Sequence, residues 1–322
     1  MSATATAPPR QTRPRESSST WPVLDRLGLA ACWATGLFLT LCAVGIVAYM
    51  AVKGVQYLKL GLLFEHPSIG VDQRTGGGFL DPIEGTIAIT IIGIAIAAPI
   101  GIGIAIWLAE FGRPVWLARF VESGVDIIAG VPSIVLAIFG LLLITQPVFS
   151  GLSVSSQGVS AYGRSFIIAG IIMSLIALPL MVGSTREALL AIPNHIREAS
   201  YALGKNKWTT IRHVLLPSIR PGIATGAALG MGRIVGDTAI VIVLLGGTLR
   251  NQPGNGVWPF DFLQGTGSTL TSYVYNNSPV GEGNAPQKAY AAAFVLLLIV
   301  IGLNFAVDRL TRGGNQVTAW SR

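Results

Sequence analysis

Arg233 and Asp237 are two opposite charges set inside an apolar run, Gly222-Ile-Ala-Thr-Gly226-Ala-Ala-Leu-Gly230-Met-Gly232-Arg233-Ile-Val-Gly236-Asp237-Thr238-Ala239. At about 1.5 Å per residue, Arg233 lies roughly 16 Å into the run, close to the middle of a ~30 Å hydrocarbon layer. A charge at that depth costs at least ~2.5 to 3.5 kcal/mol, so it must face protein or water. On a continuous helix Asp237 follows one turn later and is the expected partner. Such a pair has three uses: to neutralise itself and fix helix packing, to attract an anion on a path through the membrane, or to relay protons.

Other chemistry is poorly provided for. Cys32 and Cys42 stand ten residues apart on one apolar run and cannot pair, while His66, His195 and His213 are scattered without ligand spacing, so no metal site is expected. No Gly-x4-Gly-Lys-Ser/Thr phosphate-binding loop occurs, which removes a single-chain ATPase. The chain reads as non-catalytic and without a cofactor; any chemical energy comes from another subunit.

A second polar feature is the island Glu198-Ala-Ser-Tyr-Ala-Leu-Gly204-Lys-Asn-Lys-Trp-Thr-Thr-Ile-Arg-His-Val214-Leu-Leu216-Pro217. From about Thr185 to Leu203, apolar Leu189, Ile192, Ile196, Ala199 and Leu203 alternate at helical spacing with Arg186, Glu187, Arg197 and Glu198. The spacing predicts an amphipathic helix too polar to span, lying on a membrane surface or a partner. Gly204 occupies a C-cap position, and Lys205 to Leu216 reads as a second short helix stopped by Pro217.

The elements that must position these residues are membrane spans. The chain has 322 residues, 51% of them hydrophobic and 11% charged, with mean hydropathy +0.62, which excludes an ordinary soluble domain. Runs long enough to cross appear at about Leu27 to Val52, Gly85 to Leu108, Ile127 to Thr145, Phe166 to Val182, Gly222 to Leu245 and Ala289 to Val307. The expected class is therefore all-α, a polytopic membrane protein with six helices, because continuous runs do not encode the alternating strands of a barrel. Basic residues from Arg10 to Arg26, Arg113, Arg119, Arg186 to Arg220 and Arg309 to Arg322 fall on one side, placing both termini and the polar island in the cytoplasm. This asymmetry accounts for the net charge of +7 without invoking nucleic acid.

Finer signals lie within the spans. Gly222, Gly226 and Gly230 form a small-xxx-small stripe that admits a neighbouring helix. Pro132, in Asp126-Ile-Ile-Ala-Gly130-Val-Pro132-Ser133, either kinks the third span or sits harmlessly near a helix start. The loop Gly76-Gly-Gly-Phe-Leu-Asp-Pro-Ile-Glu-Gly85-Thr86 turns into the second span. The outside segment from Gly246 to Lys288, with Trp258-Pro-Phe-Asp-Phe-Leu263 and Tyr273-Val-Tyr275, suits an interfacial helix with aromatic anchors or a landing surface for an extracytoplasmic protein. Residues 1–22 form an unstructured tail; 23–75 hold the first helix and its outside loop, 76–310 the core, and 311–322 a second tail.

With these motifs in view, the chain resembles the membrane subunits of ABC importers. Glu198-Ala199-Ser200, three residues, Gly204, nine residues and Val214-Leu-Leu216-Pro217 match the coupling-loop signature of that family, here within 185–218. Gly76–Thr86, Ala129-Gly-Val-Pro132-Ser133 and Arg233, three residues, Asp237-Thr238-Ala239 are similar to phosphate permease patterns. Ser272-Tyr-Val-Tyr-Asn276 resembles the PstA-type subunit more than its PstC-type sister. The resemblance implies the type I ABC importer permease fold in a bacterial cell membrane. It also implies a PstC-type sister permease, a PstB-type ATPase dimer docking on the coupling loop, and a PstS-type phosphate-binding protein. Arg233, Asp237 and Thr238 would line the path. Asp237 stands where Glu is usual and Ile240 where Pro is usual, leaving the pairing geometry and any helix break there open. Rival readings are a permease for another substrate, an ion-gradient-driven transporter, in which an inverted repeat would be expected and none is seen, and a structural scaffold.

Overall fold

The computed structural model describes residues 22–68, 76–144, 164–246, 248–251, 260–279 and 281–312. Regular structure among these is helical, the one extended pairing being an isolated bridge between Pro67 and Gly77. The helices are α1 (Val23–Tyr57), α2 (Leu60–Phe64), α3 (Leu80–Ile106), α4 (Val115–Gly130), α5 (Ser133–Ile144), α6 (Phe166–Leu190), α7 (Asn194–Ala202), α8 (Lys207–Thr210), α9 (Leu216–Ser218), α10 (Arg220–Gly236), α11 (Ala239–Leu245), α12 (Phe260–Gln264), α13 (Leu270–Asn277) and α14 (Pro286–Arg312). Short π-helical turns follow α3 at Trp107–Phe111 and α8 at Ile211–Leu215.

Two units are distinguishable along the chain. The first ends at Ala51 and contains most of α1, whose apolar side chains, Trp33, Leu37, Phe38 and Leu41 among them, are exposed. The second runs from Val52 and holds the remaining helices.

In the second unit α3, α6 and α10 pack against one another and form the main core, with Ile89, Ala97, Met173, Ala177, Met181 and Ile234 buried between them. Close approach follows from small residues. A Cβ on Gly93 would lie 2.7 Å from Ile234 Cδ1, and one on Gly101 would lie 2.6 Å from Met181 Cβ. In lipid no hydrophobic force separates helix from solvent, so dispersion contacts at such small-residue seams hold the bundle. A second cluster at the α3 N-terminus joins Phe79, Leu270, Tyr273, Ala291, Ala292 and Val295, and a third at its C-terminus joins Ala105, Leu189, Ile211, Leu215 and Ile219.

Among the described residues four helices are long and apolar enough to span a membrane, and up to six spans result if two bent pairs each count as one. The bent pairs correct the sequence expectation. The run from Ile127 to Thr145 is not one helix: α4 and α5 meet at 104°. Val131, preceding Pro132, is extended at φ −72°, ψ 128°, as the proline ring demands of its predecessor. The Pro132 carbonyl then accepts from the Val135 and Leu136 amides at 3.0 and 3.3 Å, so the proline starts α5. The expected fifth span is likewise divided into α10 and α11, bent by 62°.

The described residues between Gly246 and Lys288 are more deeply built in than a surface anchor. Tyr273 is wholly buried, 5.9 Å centroid to centroid from Phe79, while Phe262 stacks on Phe166 at 4.9 Å; Tyr275 is exposed, and Trp258 lies outside the described residues. Thr269 starts α13 with a capping box shared with Ser272, and the Leu270 amide donates to Thr86 Oγ1 at 2.9 Å. Gly85 is required beside it, since a Cβ there would collide with the Ser268 carbonyl. Asp81, at the head of α3, accepts from the Asn251 amide at 2.9 Å and bonds His66 Nδ1 at 2.5 Å.

Candidate functional site

The polar island is folded onto the ends of α3 and α6. The amphipathic helix expected over Thr185–Leu203 is broken: α6 ends at Leu190, Pro193 is extended, and α7 starts at Asn194. Pro193 has no amide to continue α6, which forces the turn. The consequence is that Leu189 is buried whereas Leu203, expected on the same stripe, is 79% exposed.

Arg197 spans the break. Its guanidinium donates to the Leu189 carbonyl at 2.9 Å, to the Ile192 carbonyl at 2.7 Å and to Glu110 Oε1 at 2.9 Å. It thereby adds a donor to carbonyls at and just beyond the α6 C-terminus, where a cation also suits the helix dipole. Glu110, in the π-turn closing α3, is nearly buried at 6% side-chain exposure. Lys207 Nζ donates to the Glu110 carbonyl and sits 4.3 Å from the Phe111 ring centroid. Sequence reasoning passed over Glu110 and Lys207; a carboxylate directly at the end of an apolar run was the available signal.

The signature residues divide between an inner and an outer surface. Ser200 is buried, its hydroxyl 2.9 Å from that of Thr210, which pins α7 to α8. Gly204 adopts φ +75° after α7, with its amide on Tyr201 O at 2.9 Å and that of Lys205 on Ser200 O at 3.3 Å. Any L-residue would be strained in that left-handed position. Val214, Leu216 and Pro217 are half-buried beside the third hydrophobic cluster. Glu198, Ala199, Gly204 and Lys205 face outward with Tyr201, Leu203 and Trp208, the last 62% exposed.

Pro217 does not stop a helix, contrary to expectation. The π-turn Ile211–Leu215 precedes it, α9 contains it, and α10 follows after Ile219. Widening the turn moves the carbonyls that a proline ring would strike and that its missing N–H would leave unmatched. From Lys207 to Gly236 the backbone is thus helical apart from the turn at Ile219.

Along α10 the three stripe glycines lie on α6. A Cβ on Gly222 would collide with the Ala188 methyl; on Gly226 it would sit 3.3 Å from the Leu180 carbonyl, and on Gly230 3.2 Å from Ala177 Cβ. Ser184 Oγ donates to the Gly222 carbonyl at 2.7 Å across the same seam.

The expected Arg233–Asp237 pair is absent, because the helix ends between them. Gly236 is the last residue of α10, and Asp237 is extended at φ −85°, ψ 116°. Asp237 is 6% exposed and its Oδ1 accepts from the Ile240 amide at 3.0 Å, capping α11. Arg233 is exposed and has no ion pair among the described residues. The break therefore exists without a proline at 240, and a side-chain cap takes its place. Thr238 is half-buried at the break, its carbonyl accepting from the Ile242 amide at 3.0 Å. One turn away, Val235, Val241, Thr86, Thr90, Thr269 and Thr271 help line a cavity of about 10 Å3, room for a single water.

A family model for the binding-protein-dependent transport system inner membrane component matches residues 101–313, from within α3 to the end of α14. The chain belongs to this family. Among its relatives are the phosphate transport system permease protein PstA of Mycobacterium leprae, 32% identical over 232 residues, with 72% of this chain and 70% of that one covered. PstC of Xylella fastidiosa (strain 9a5c) is 28% identical over 293 residues, covering 85% of each. The probable ABC transporter permease protein YqgI of Bacillus subtilis is 28% identical over 287 residues, covering 85% of this chain and 92% of that one. Of solved structures, a bacterial ABC transporter that imports the acidic polysaccharide alginate superposes with TM-score 0.60 at 16% identity, covering 89% of this chain and 96% of that one. The MetNI methionine ABC transporter superposes with TM-score 0.54 at 22% identity, covering 74% and 96%. The fold is that of type I ABC importer permeases, and the protein is a multi-pass permease subunit of an ABC importer, a transport component.

Proposed function

We propose that the protein is the PstA-type permease of an ATP-driven phosphate importer, forming a path with a PstC-type sister. The observation that carries this reading is Arg233: a guanidinium in the last turn of α10, near the middle of the bent α10–α11 pair, exposed, and with no ion pair among the described residues. A cation held there attracts an anion and repels cations. The relatives named as phosphate permeases support the same substrate class. Thr238, at the head of α11 just past the break, supplies a hydroxyl on the same path.

In this reading the outer surface of α7 and α8 is where a PstB-type ATPase dimer docks. Leu203, Trp208 and Tyr201 offer it apolar area, and Arg197, Lys207 and Ser200 behind them make the loop rigid enough to transmit force. Movement passes from α7 through the π-turn and α9 into α10, and so to Arg233. A PstS-type binding protein delivers substrate from the opposite face of a bacterial cell membrane, and both termini share the cytoplasmic side with the coupling loop.

Proteoliposomes containing this chain with its sister permease and ATPase test the proposal. Labelled phosphate accumulates with ATP and a phosphate-loaded binding protein, and accumulation survives an uncoupler. Uptake that follows an imposed ion gradient without ATP would instead favour a secondary transporter, and ATP-driven uptake of another solute alone would remove phosphate.

A further inference from the structure

We infer that Asp237 is a positioning residue whose carboxylate holds the break between α10 and α11, and that by capping α11 it is kept from neutralising Arg233. The inference rests on the translocation reading of Arg233 for its consequence, though not for its geometry.

In an unbroken helix the Ile240 amide would bond the Gly236 carbonyl, and Asp237 would return to one turn from Arg233 on the same face. In the observed fold that amide has moved to Asp237 Oδ1 at 3.0 Å, while the Asp237 amide reaches back to Ile234 O at 3.3 Å. Ile240 is fully buried and Asp237 nearly so, so bulk water is not at hand to take over the amide. An orphaned buried amide costs about 1 to 3 kcal/mol, comparable with the worth of a good N-cap. The break is thus balanced against a straight helix by one side-chain hydrogen bond.

The length of the acid matters for that balance. Aspartate reaches the amide three residues on, the geometry of an N-cap, whereas glutamate is a weak cap and a strong partner for a cation one turn earlier. Replacing Asp237 by Glu should exchange the cap for an ion pair, straighten the helix and cancel the free charge. Asparagine keeps the cap and lacks the charge. Proline at 240 has no amide to orphan and suits the second position of a helix, as Pro221 does at the head of α10.

The test uses the complete importer complex with Cys32 and Cys42 replaced by Ser and spin labels on cysteines at Arg220 and Val243. With a 62° bend at Asp237 the two backbone positions are about 31 Å apart, against about 35 Å for a straight helix. The wild-type and Asp237→Asn complexes should give the shorter distance and Asp237→Glu the longer one. Adding Ile240→Pro to Asp237→Glu should restore the shorter distance. In unlabelled complexes, phosphate uptake should stay within about threefold of wild type for Asp237→Asn and fall about tenfold for Asp237→Glu, the factor expected from losing roughly one cap. Lengthening in Asp237→Asn, or an unchanged distance in Asp237→Glu, overturns the inference. Absence of wild-type phosphate uptake would count against the transport reading alone, since the distances do not depend on it.

Discussion

Arg197 and Glu110 face each other at 2.9 Å, with side chains 14% and 6% exposed, and join α7 to the π-turn that closes α3. Because the same guanidinium also donates to the Leu189 carbonyl in the last turn of α6 and to the Ile192 carbonyl just beyond it, one side chain gathers three elements.

Removing that arginine should be costly. Arg197→Ala leaves a buried carboxylate without its partner, a loss of about 3 to 5 kcal/mol, whereas exchanging both residues for apolar ones of similar size costs much less. Thermal unfolding of the detergent-solubilised complex checks this. Equal destabilisation by the single and double replacements would show that the pair is not coupled.

The outer face of the loop should behave in the opposite way. Leu203→Asp and Trp208→Ala touch exposed side chains and should leave stability within about 0.5 kcal/mol of wild type. Both should nonetheless reduce co-purification of the ATPase, by about tenfold if either is an anchor worth more than 1 kcal/mol. Normal ATPase recovery with both replacements would place its docking surface elsewhere.

The seam between α6 and α10 should not tolerate bulk. Gly226→Leu drives a side chain into the Leu180 carbonyl and Met181, and overpacking of this kind costs about 1 to 3 kcal/mol, so the permease should accumulate poorly. Gly232, which has open space beside it, is the control, and Gly232→Ala should assemble normally. Equal levels of both variants in the membrane would remove the seam from the account.

Much of this architecture was legible in the chain because apolar runs of span length, a glycine every fourth position and a glycine after an amphipathic helix each have one physical outcome. The stripe at Gly222, Gly226 and Gly230 lies on α6, and Gly204 takes the left-handed cap. The breaks were harder to read. At Pro132 the alternatives of kink and helix start were both open, and the 104° turn depends on α5 packing beside α11 and α6. At Asp237 the flanking residues favour helix throughout, so a regular helix wheel paired Arg233 with Asp237; a side-chain cap, which periodicity does not register, redirected the carboxylate to Ile240. At Pro217 the π-turn absorbed a residue that normally ends a helix. Glu110 went unnoticed because its partner is 87 positions away.

The most direct test of the central claim is ATP-driven phosphate uptake by proteoliposomes carrying the Arg233→Ala permease in a fully assembled complex. Uptake should be lost while the ATPase and sister permease are recovered in normal amounts, because the mid-span cation is what attracts the anion. Uptake at the wild-type rate with Arg233 replaced would contradict that claim.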